Sequence, residues 1–440
     1  MNERRKKVLI VLPALKVLGG GEAVAVWMLE ALKDEYAVSV LTWEVADTRD
    51  LNRVYGTTLA PADFNVLGPP PLLRHIFDRV VEWNQDHYFQ KVCLLFRLTQ
   101  QMKDEFDILI SALDEADFGR PGIQYVHYPG FRDIYETEYK AAFEGNGRPL
   151  LKTWWIRFKR RCRPWQLISR LSFERVKQNL TLVNSDWTGD VVRRLYGIDS
   201  LTVFPPVAGD FPDVPWDQRQ DRFVCIGRLV SHKRIEMAIE ILAAVRAQGL
   251  DVRLQIVGLM WNDAAGRAYY EQVKRLAEEH AAWMSLAEGI ERRRLVQLLS
   301  NSRYGIHAAA EEPFGIAVAE MVRAGCIAFT GRRGGQAEII GQDERLMFDS
   351  VEEGAAKILN VLHNPQQQTA LREHLAARRA RRFTAEEFVR RIRDVVRQFP
   401  DASPGKGGSG NALETDRGVV RVVDDDARKQ SDTCTDLLIY

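Results

Sequence analysis

The sequence predicts an α/β protein of two doubly wound domains facing one another across a cleft, and three observations lead there. Short apolar runs alternate with helix-length amphipathic periods along two separate stretches, the pattern of parallel strands covered by helices. A segment with prolines at 205, 206, 212 and 215 resists both helix and strand and divides the two series. The chain has 440 residues, which at ~150 residues per domain allows two to three domains.

The first series opens with a strand at Val8–Leu12, a loop of Gly19, Gly20 and Gly21, a helix at Ala23–Lys33 and a strand at Ala37–Thr42. Further strands are predicted at Ile108–Ile110, Ile123–Val126 and Leu180–Asn184. The second series begins with a strand at Arg222–Ile226 and a helix at Arg234–Gln248, followed by a strand at Val252–Val257 and a helix at Tyr269–His280. Strand Trp283–Leu286, helix Arg293–Ser300, strand Tyr304–His307, helix Gly315–Ala324 and strand Ile327–Thr330 complete it. Phe388, Ile392, Val395 and Val396 form one stripe of a final helix, Ala385–Phe399. The resulting division is 1–205 for the first domain, 206–221 for the linker, 222–383 for the second domain, 384–400 for a crossover helix and 401–440 for a disordered tail.

Composition removes several classes of function. Lys and Arg total 61 against 60 Asp and Glu, which argues against a nucleic-acid binder. The five cysteines are scattered and never form CxxC, so neither a disulfide scaffold nor a zinc ribbon is expected. No apolar run reaches the ~18 residues of a membrane span. Basic Met1–Lys7 followed by apolar Val8–Leu18 imitates a signal peptide, but a small-residue cleavage site is missing and a glycine loop follows. The expectation is a cytoplasmic protein without a metal centre.

Three motifs carry chemistry. Gly20 and Gly21 lie where a first strand passes into a helix, so the backbone there can approach an anion or a sugar closely. A purely structural turn explains the same residues, and neither GxGxxG nor a Walker A loop is present. In His307-Ala-Ala-Ala-Glu311-Glu312-Pro313-Phe314-Gly315-Ile316-Ala317-Val318-Ala319-Glu320, a strand enters a loop holding Glu312, and Gly315 opens a helix holding Glu320. Helix-start N–H groups suit a diphosphate, and the two carboxylates suit sugar hydroxyls. A solvated Glu320 and a plain helix entry are the alternative. Arg228 and Lys233 follow the first strand of the second series, where two cations form a polyphosphate clamp or are simply solvated.

Together with Tyr125-Val-His127-Tyr-Pro129, Val183-Asn184-Ser185 and Gly334-Gly335-x-x-Glu338, these motifs resemble the "group 1" retaining glycosyltransferases of GT-B architecture, built of two Rossmann-like domains. The matching elements run in order over about residues 8–345. His127-Tyr-Pro, Asn184-Ser-Asp-Trp-Thr and Phe204-Pro-Pro-Val look like the mannosyltransferases that extend lipid-linked oligosaccharides. The resemblance implies that Arg228 and Lys233 bind the donor diphosphate. Glu312 would hold hexose hydroxyls, assisted by the N–H groups of Phe314 and Gly315. Those of Ile316 and Ala317 would meet the phosphates, and Glu320 the ribose. Gly20 and Gly21 would approach from the first domain, and His127 would face the transferred sugar or merely pack at its strand end. His232 and Arg234 flank Lys233 where relatives often carry Glu and Gly, which makes this loop more basic.

The implied function is transfer of a hexose, such as mannose, from a GDP- or UDP-linked donor to a lipid-linked or cell-surface glycan, as in polysaccharide biosynthesis, with no cofactor besides the donor. A sugar-nucleotide epimerase of the same architecture and a non-catalytic sugar-nucleotide-binding scaffold are the alternatives. Lys152–Lys177 contains nine Lys or Arg, the single acid Glu174, and interleaved Trp154, Trp155, Phe158, Trp165 and Phe173. It reads either as an interfacial segment attracted to anionic lipid or as a basic surface helix packing its aromatics inward. The first reading places the protein peripherally at the inner or cytosolic membrane face.

Overall fold

The computed structural model describes residues 4–16, 19–70, 72, 74–75, 87–130, 169–261, 264–379 and 383–400. The predicted tail 401–440 and most of Lys152–Lys177 lie outside them. In chain order the first half carries β1 (Lys7–Val11), β2 (Ala14–Leu15), α1 (Gly20–Leu32), β3 (Ala37–Leu41), β4 (Glu44–Val45), α2 (Thr48–Tyr55), β5 (Phe64–Leu67) and α3 (His87–Met102). β6 (Ile108–Ser111), β7 (Ile123–Val126), β8 (Leu180–Val183), α4 (Asp186–Tyr196) and β9 (Ser200–Thr202) follow. The second half runs β10 (Gln220–Leu229), α5 (Ile235–Ala247), β11 (Arg253–Met260), α6 (Ala264–Glu279), β12 (Met284–Glu288), α7 (Arg292–Ser300) and β13 (Ser302–His307). Then come β14 (Glu311–Glu312), α8 (Ile316–Arg323), β15 (Ile327–Gly331), β16 (Arg333–Gly334), α9 (Gly335–Ile339) and β17 (Met347–Phe348). Three helices close the chain: α10 (Val351–Leu362), α11 (Pro365–Arg379) and α12 (Ala385–Gln398).

Seven strands form the first sheet, in the order β5-β3-β1-β6-β7-β8-β9, and six form the second, in the order β12-β11-β10-β13-β15-β17. Every described pairing is parallel, with Val8 opposite both Val38 and Ile108 at the centre of the first sheet. The α/β, doubly wound expectation therefore holds for both. Period-2 alternation along β1 sends Val8 and Ile10 into the core layer shared with α1, and Leu9 and Val11 into the layer shared with α3. That alternation explains why β1 reads as an unbroken apolar run: helices cover both of its faces.

α12 packs Phe388, Ile392, Val395 and Val396 into the core of the first sheet, although the chain reaches it from the second. Arg393 donates to the Ala31 carbonyl at 2.7 Å, and Arg397 pairs with Glu35 at 2.6 Å. Thr384 caps the helix by accepting from the Glu387 N–H at 3.1 Å. The sequence reading passed over α4, whose Thr188 and Gly189 are poor helix formers. Its ends make it a helix. Ser185 Oγ accepts from the Thr188 N–H at 3.0 Å, and Gly197, at φ 65°, ends it in the left-handed region.

Candidate functional site

The order of each sheet turns back beside its first strand, between β1 and β6 in one and between β10 and β13 in the other. Ligands of such sheets lie beyond the strand carboxyl ends at this switch point. The segments leaving β1, β10 and β13 carry the glycines, Lys233 and the acidic motif, and Arg228 stands at the end of β10.

In the second sheet the structure joins three of these side chains. Lys233 Nζ contacts Glu312 Oε2, and His307 Nε2 lies 3.5 Å from the same oxygen. His307 is buried, and Glu312 and Lys233 are largely so. Burial alone would push the Glu312 carboxyl up, but His307 and Lys233 overcome it and hold it at about 2. β14 fixes this loop by pairing Glu312 with Gly334 of β16. A Cβ on Gly334, at φ 99°, would fall 2.1 Å from the Glu312 carbonyl, so only glycine allows that pairing. Gly315, at φ 97°, begins α8, and no side chain caps it. The first turn follows directly on the Glu312 loop, and a helix start without a side-chain cap suits an anion. Phe314 is core, packed on Phe204 and Phe383 with ring centroids 6.0 and 5.8 Å away, and contributes only backbone.

The first sheet closes on this helix start. A Cβ on Gly20 would lie 2.4 Å from Ile316 Cδ1, and one on Gly21 would lie 3.8 Å from His127 Nε2. His127 Nε2 is 3.1 Å from the Ala112 carbonyl, an oxygen it can meet only as a donor. Nδ1 then carries the lone pair, and burial lowers the ring pKa so that it stays neutral. Its backbone is held by the Asp114 carboxylate, which accepts from the His127 and Tyr128 N–H groups at 2.8 and 3.2 Å. His127 thus packs at its strand end and also borders the glycine loop.

A second contact between the sheets lies at α4. Glu338 accepts from the Asp186 N–H at 3.0 Å and the Trp187 N–H at 2.5 Å, and Ser185 Oγ donates to the Pro313 carbonyl at 2.6 Å. Burial and the nearby Asp186 raise the Glu338 carboxyl to about 7.

Other residues sit differently from the sequence reading. Glu320 pairs with Arg292, whose guanidinium also reaches the Ala208 carbonyl and lies 5.7 Å over the Phe211 ring. Arg323 lies 5.4 Å from the same ring and donates to the Val207 carbonyl, so two arginines grip the linker. Arg292 begins a run of three arginines that reads as solvated, and no sequence signal marked it. Arg228 is exposed and lies over the Trp261 ring at 5.0 Å rather than beside Glu312. The expected gain in basicity near Lys233 is not made by His232, because burial and Lys233 lower its pKa and leave it neutral. Arg234 occupies the left-handed region at φ 50°, which explains why glycine suits that position. Glu22, beside the glycine loop, is raised by burial and feels both His127 and Arg228.

Residues 209–378 match the family described as "Glycosyl transferases group 1". The match takes in the second sheet and the Glu312 loop. The chain is 26% identical over 272 residues to a GDP-Man:Man(3)GlcNAc(2)-PP-Dol alpha-1,2-mannosyltransferase of Dictyostelium discoideum, covering 54% of this chain and 51% of that one. The enzyme of the same name from Xenopus tropicalis is 27% identical over 227 residues, covering 48% and 46%. The chain spans about half the length of the curated relatives it matches. Among solved structures, WaaG, a glycosyltransferase of lipopolysaccharide biosynthesis, superposes with a TM-score of 0.60 at 14% identity, over 89% of this chain and all of the other. Anabaena HepE with UDP and glucose gives 0.59 at 15% identity, over 90% of this chain and all of HepE. The chain therefore shares the GT-B fold of these structures.

Proposed function

We propose that this group 1 glycosyltransferase moves a hexose, with retention of anomeric configuration, from a GDP- or UDP-linked donor to a hydroxyl of a lipid-linked or cell-surface glycan. The carrying observation is the Glu312, Lys233 and His307 cluster beside the uncapped start of α8, closed from the other sheet by Gly20.

At a pKa of about 2, Glu312 is ionised at any working pH and accepts from hexose hydroxyls. Lys233 has three donors, so it can hold Glu312 and still offer N–H to a phosphate oxygen. Arg228, free to swing from Trp261, supplies the second cation. The N–H groups of Ile316 and Ala317 add the helix-start field to the same anion, while those of Phe314 and Gly315 steady the sugar. Breaking the bond from C1 to the phosphate oxygen then leaves an oxocarbenium-like sugar and a stabilised diphosphate. The acceptor oxygen bonds C1 from the face just vacated, and its proton passes to the departing phosphate oxygen. Neutral His127 lines the sugar side without adding charge.

The mannosyltransferase names support a GDP-mannose donor and a lipid-linked acceptor, whereas the HepE complex supports UDP. Nine basic residues and the interleaved tryptophans of Lys152–Lys177 support recruitment to an anionic cytosolic membrane face. The test is incubation with a panel of GDP- and UDP-sugars, with and without membrane-lipid extract, reading nucleotide release and the product anomer by NMR. An inverted product refutes retention, and no release from any donor refutes the transferase. Salt-sensitive flotation with anionic liposomes tests the recruitment.

A further inference from the structure

The first turn of α1 carries an acid, Glu22, that the proposed transfer leaves without a task. Its place follows from the glycines before it. Gly19 offers no side chain to cap α1, and the Glu22 carboxylate folds back over it: a Cβ on Gly19 would lie 3.6 Å from Glu22 Oε2. The backbone around that fold is held on each side. The Gly19 carbonyl accepts from the Ala23 N–H at 3.2 Å, Gly20 meets Ile316, and Gly21 lies against His127. Glu22 is thus a half-buried carboxylate on the loop that closes against α8. Its charge is felt by one group from each sheet, His127 after β7 and Arg228 at the end of β10.

This carboxylate is short of donors. Burial raises its pKa, while its own backbone N–H, His127 and Arg228 favour the charged form. Among the described residues it accepts from its own N–H, and no other hydrogen bond or ion pair meets it. An ionised carboxyl can accept at about four lone-pair sites, so most of its capacity is left over. A half-buried polar group in that condition gains by taking donors from a ligand. The surroundings select which ligand. Arg228 opposes a second cation, and Glu22 itself repels a phosphate or a carboxylate. Hydroxyl groups donate without charge. In transfer with retention the attacking hydroxyl gives its proton to the departing phosphate oxygen, so the donor to Glu22 is a different hydroxyl of the same molecule.

We infer that Glu22 binds the acceptor, its carboxylate taking a hydrogen bond from a sugar hydroxyl beside the one that attacks and turning away an acceptor whose reacting end is a phosphate. This rests on the proposed transferase function and adds the chemical class of the acceptor's reacting end.

The test uses the whole chain with the donor that the panel of GDP- and UDP-sugars identifies. Nucleotide release is read without acceptor, with a series of octyl hexosides and with octyl phosphate. An octyl hexoside should raise release saturably, and octyl phosphate should not. Glu22→Ala should raise the KM for that hexoside about tenfold with little change in kcat, the effect of losing one hydrogen bond to a charged group. Glu22→Gln keeps a carbonyl acceptor and should recover part of the loss, a rescue that a merely structural role would not show. Ala and Gln are both good helix formers, so α1 stands in either variant. Stimulation by octyl phosphate, stimulation by none of the hexosides, or one KM in all three proteins overturns the inference. A lower kcat at an unchanged KM would make Glu22 the acceptor's base, and weaker GDP or UDP binding by titration would make it a partner of Arg228; either result also overturns it. No release from any donor refutes the transferase and this inference with it, whereas release with an unaltered KM in Glu22→Ala refutes this inference alone.

Discussion

Arg292→Gln separates a residue that orients the donor site from one that merely holds the linker. Arg292 is the described partner of the Glu320 carboxylate, at side-chain exposures of 27% and 11%. It engages Oε1, which leaves Oε2 to meet the ribose hydroxyls of the proposed donor. Removing one side of so enclosed a pair costs about 3 kcal/mol of stability, to which the lost contact over Phe211 adds ~0.5–1 kcal/mol. A carboxylate hydrogen bond to a hydroxyl contributes about 1.5–3 kcal/mol, and a misoriented Glu320 forfeits roughly half of it. Affinity for a ribonucleoside diphosphate should then fall about tenfold. The assay is isothermal titration well below the melting temperature, with GDP or UDP and the 2′,3′-dideoxy analogue of each. Wild type should discriminate against the analogue, and Arg292→Gln should discriminate less while binding the analogue as wild type does. Equal weakening of both ligands would assign Arg292 to the linker alone, and a wild type that ignores the ribose hydroxyls would remove Glu320 from the ribose instead.

Four further outcomes are expected. Lys233→Met should reduce turnover by one to two decades, since a charge-assisted phosphate contact is worth roughly 1.5–3 kcal/mol, and Glu312→Gln should lower kcat; unchanged kinetics in either folded variant dismisses its role. Arg234→Gly should raise the melting temperature by relieving about 1 kcal/mol of left-handed strain, and a lower melting temperature would show that the Arg234 side chain repays that strain. Glu338 has a folded pKa of about 7 against an ordinary 4.5, so its contribution is full below pH 4.5 and is lost as pH rises through 7, up to about 3 kcal/mol. Thermal unfolding between pH 5 and 8 should show that decline in wild type and a shallower one in Glu338→Gln; identical slopes would place the titration elsewhere.

What the sequence made legible was whatever a local pattern encodes. Val8–Val11 reads as a buried parallel strand because helices cover both faces. Gly315 and Glu312 read as an anion-facing helix start because a strand, a loop and a glycine suffice to build one. Contacts made across the fold left no such trace. Arg292 looks like one of three solvated arginines until folding brings it 28 residues forward to Glu320. α4 lacks a helical composition and exists through its two caps. β17 has only two residues and β5 exposes Asn65 and Val66, so neither reads as a buried strand, and they become strands because β3 and β15 offer them an edge.

The same distinction explains where the sheets touch. Gly20 on Ile316 and Ser185 on the Pro313 carbonyl fall within a few residues of Glu312 or Gly315, and Glu338 holds the residues that follow Ser185. None of them is an extensive apolar interface. Gly20 presents no side chain, Glu338 satisfies two N–H groups and Ser185 one carbonyl, so each contact can open at the cost of a few hydrogen bonds rather than a buried core. α12 is the opposite case: chain from beyond the second sheet delivers four apolar side chains to the core of the first. A tether of four buried side chains at α12 beside separable polar contacts at the site would let the cleft open for exchange of the proposed donor while the two halves stay in register. Substituting Gly20 by Val tests this directly, because two methyl groups against Ile316 Cδ1 would hold the cleft ajar. Turnover should then fall while nucleotide, held by the second sheet, binds as before. Loss of nucleotide affinity in that variant would mean that the first sheet is part of the donor site rather than its lid.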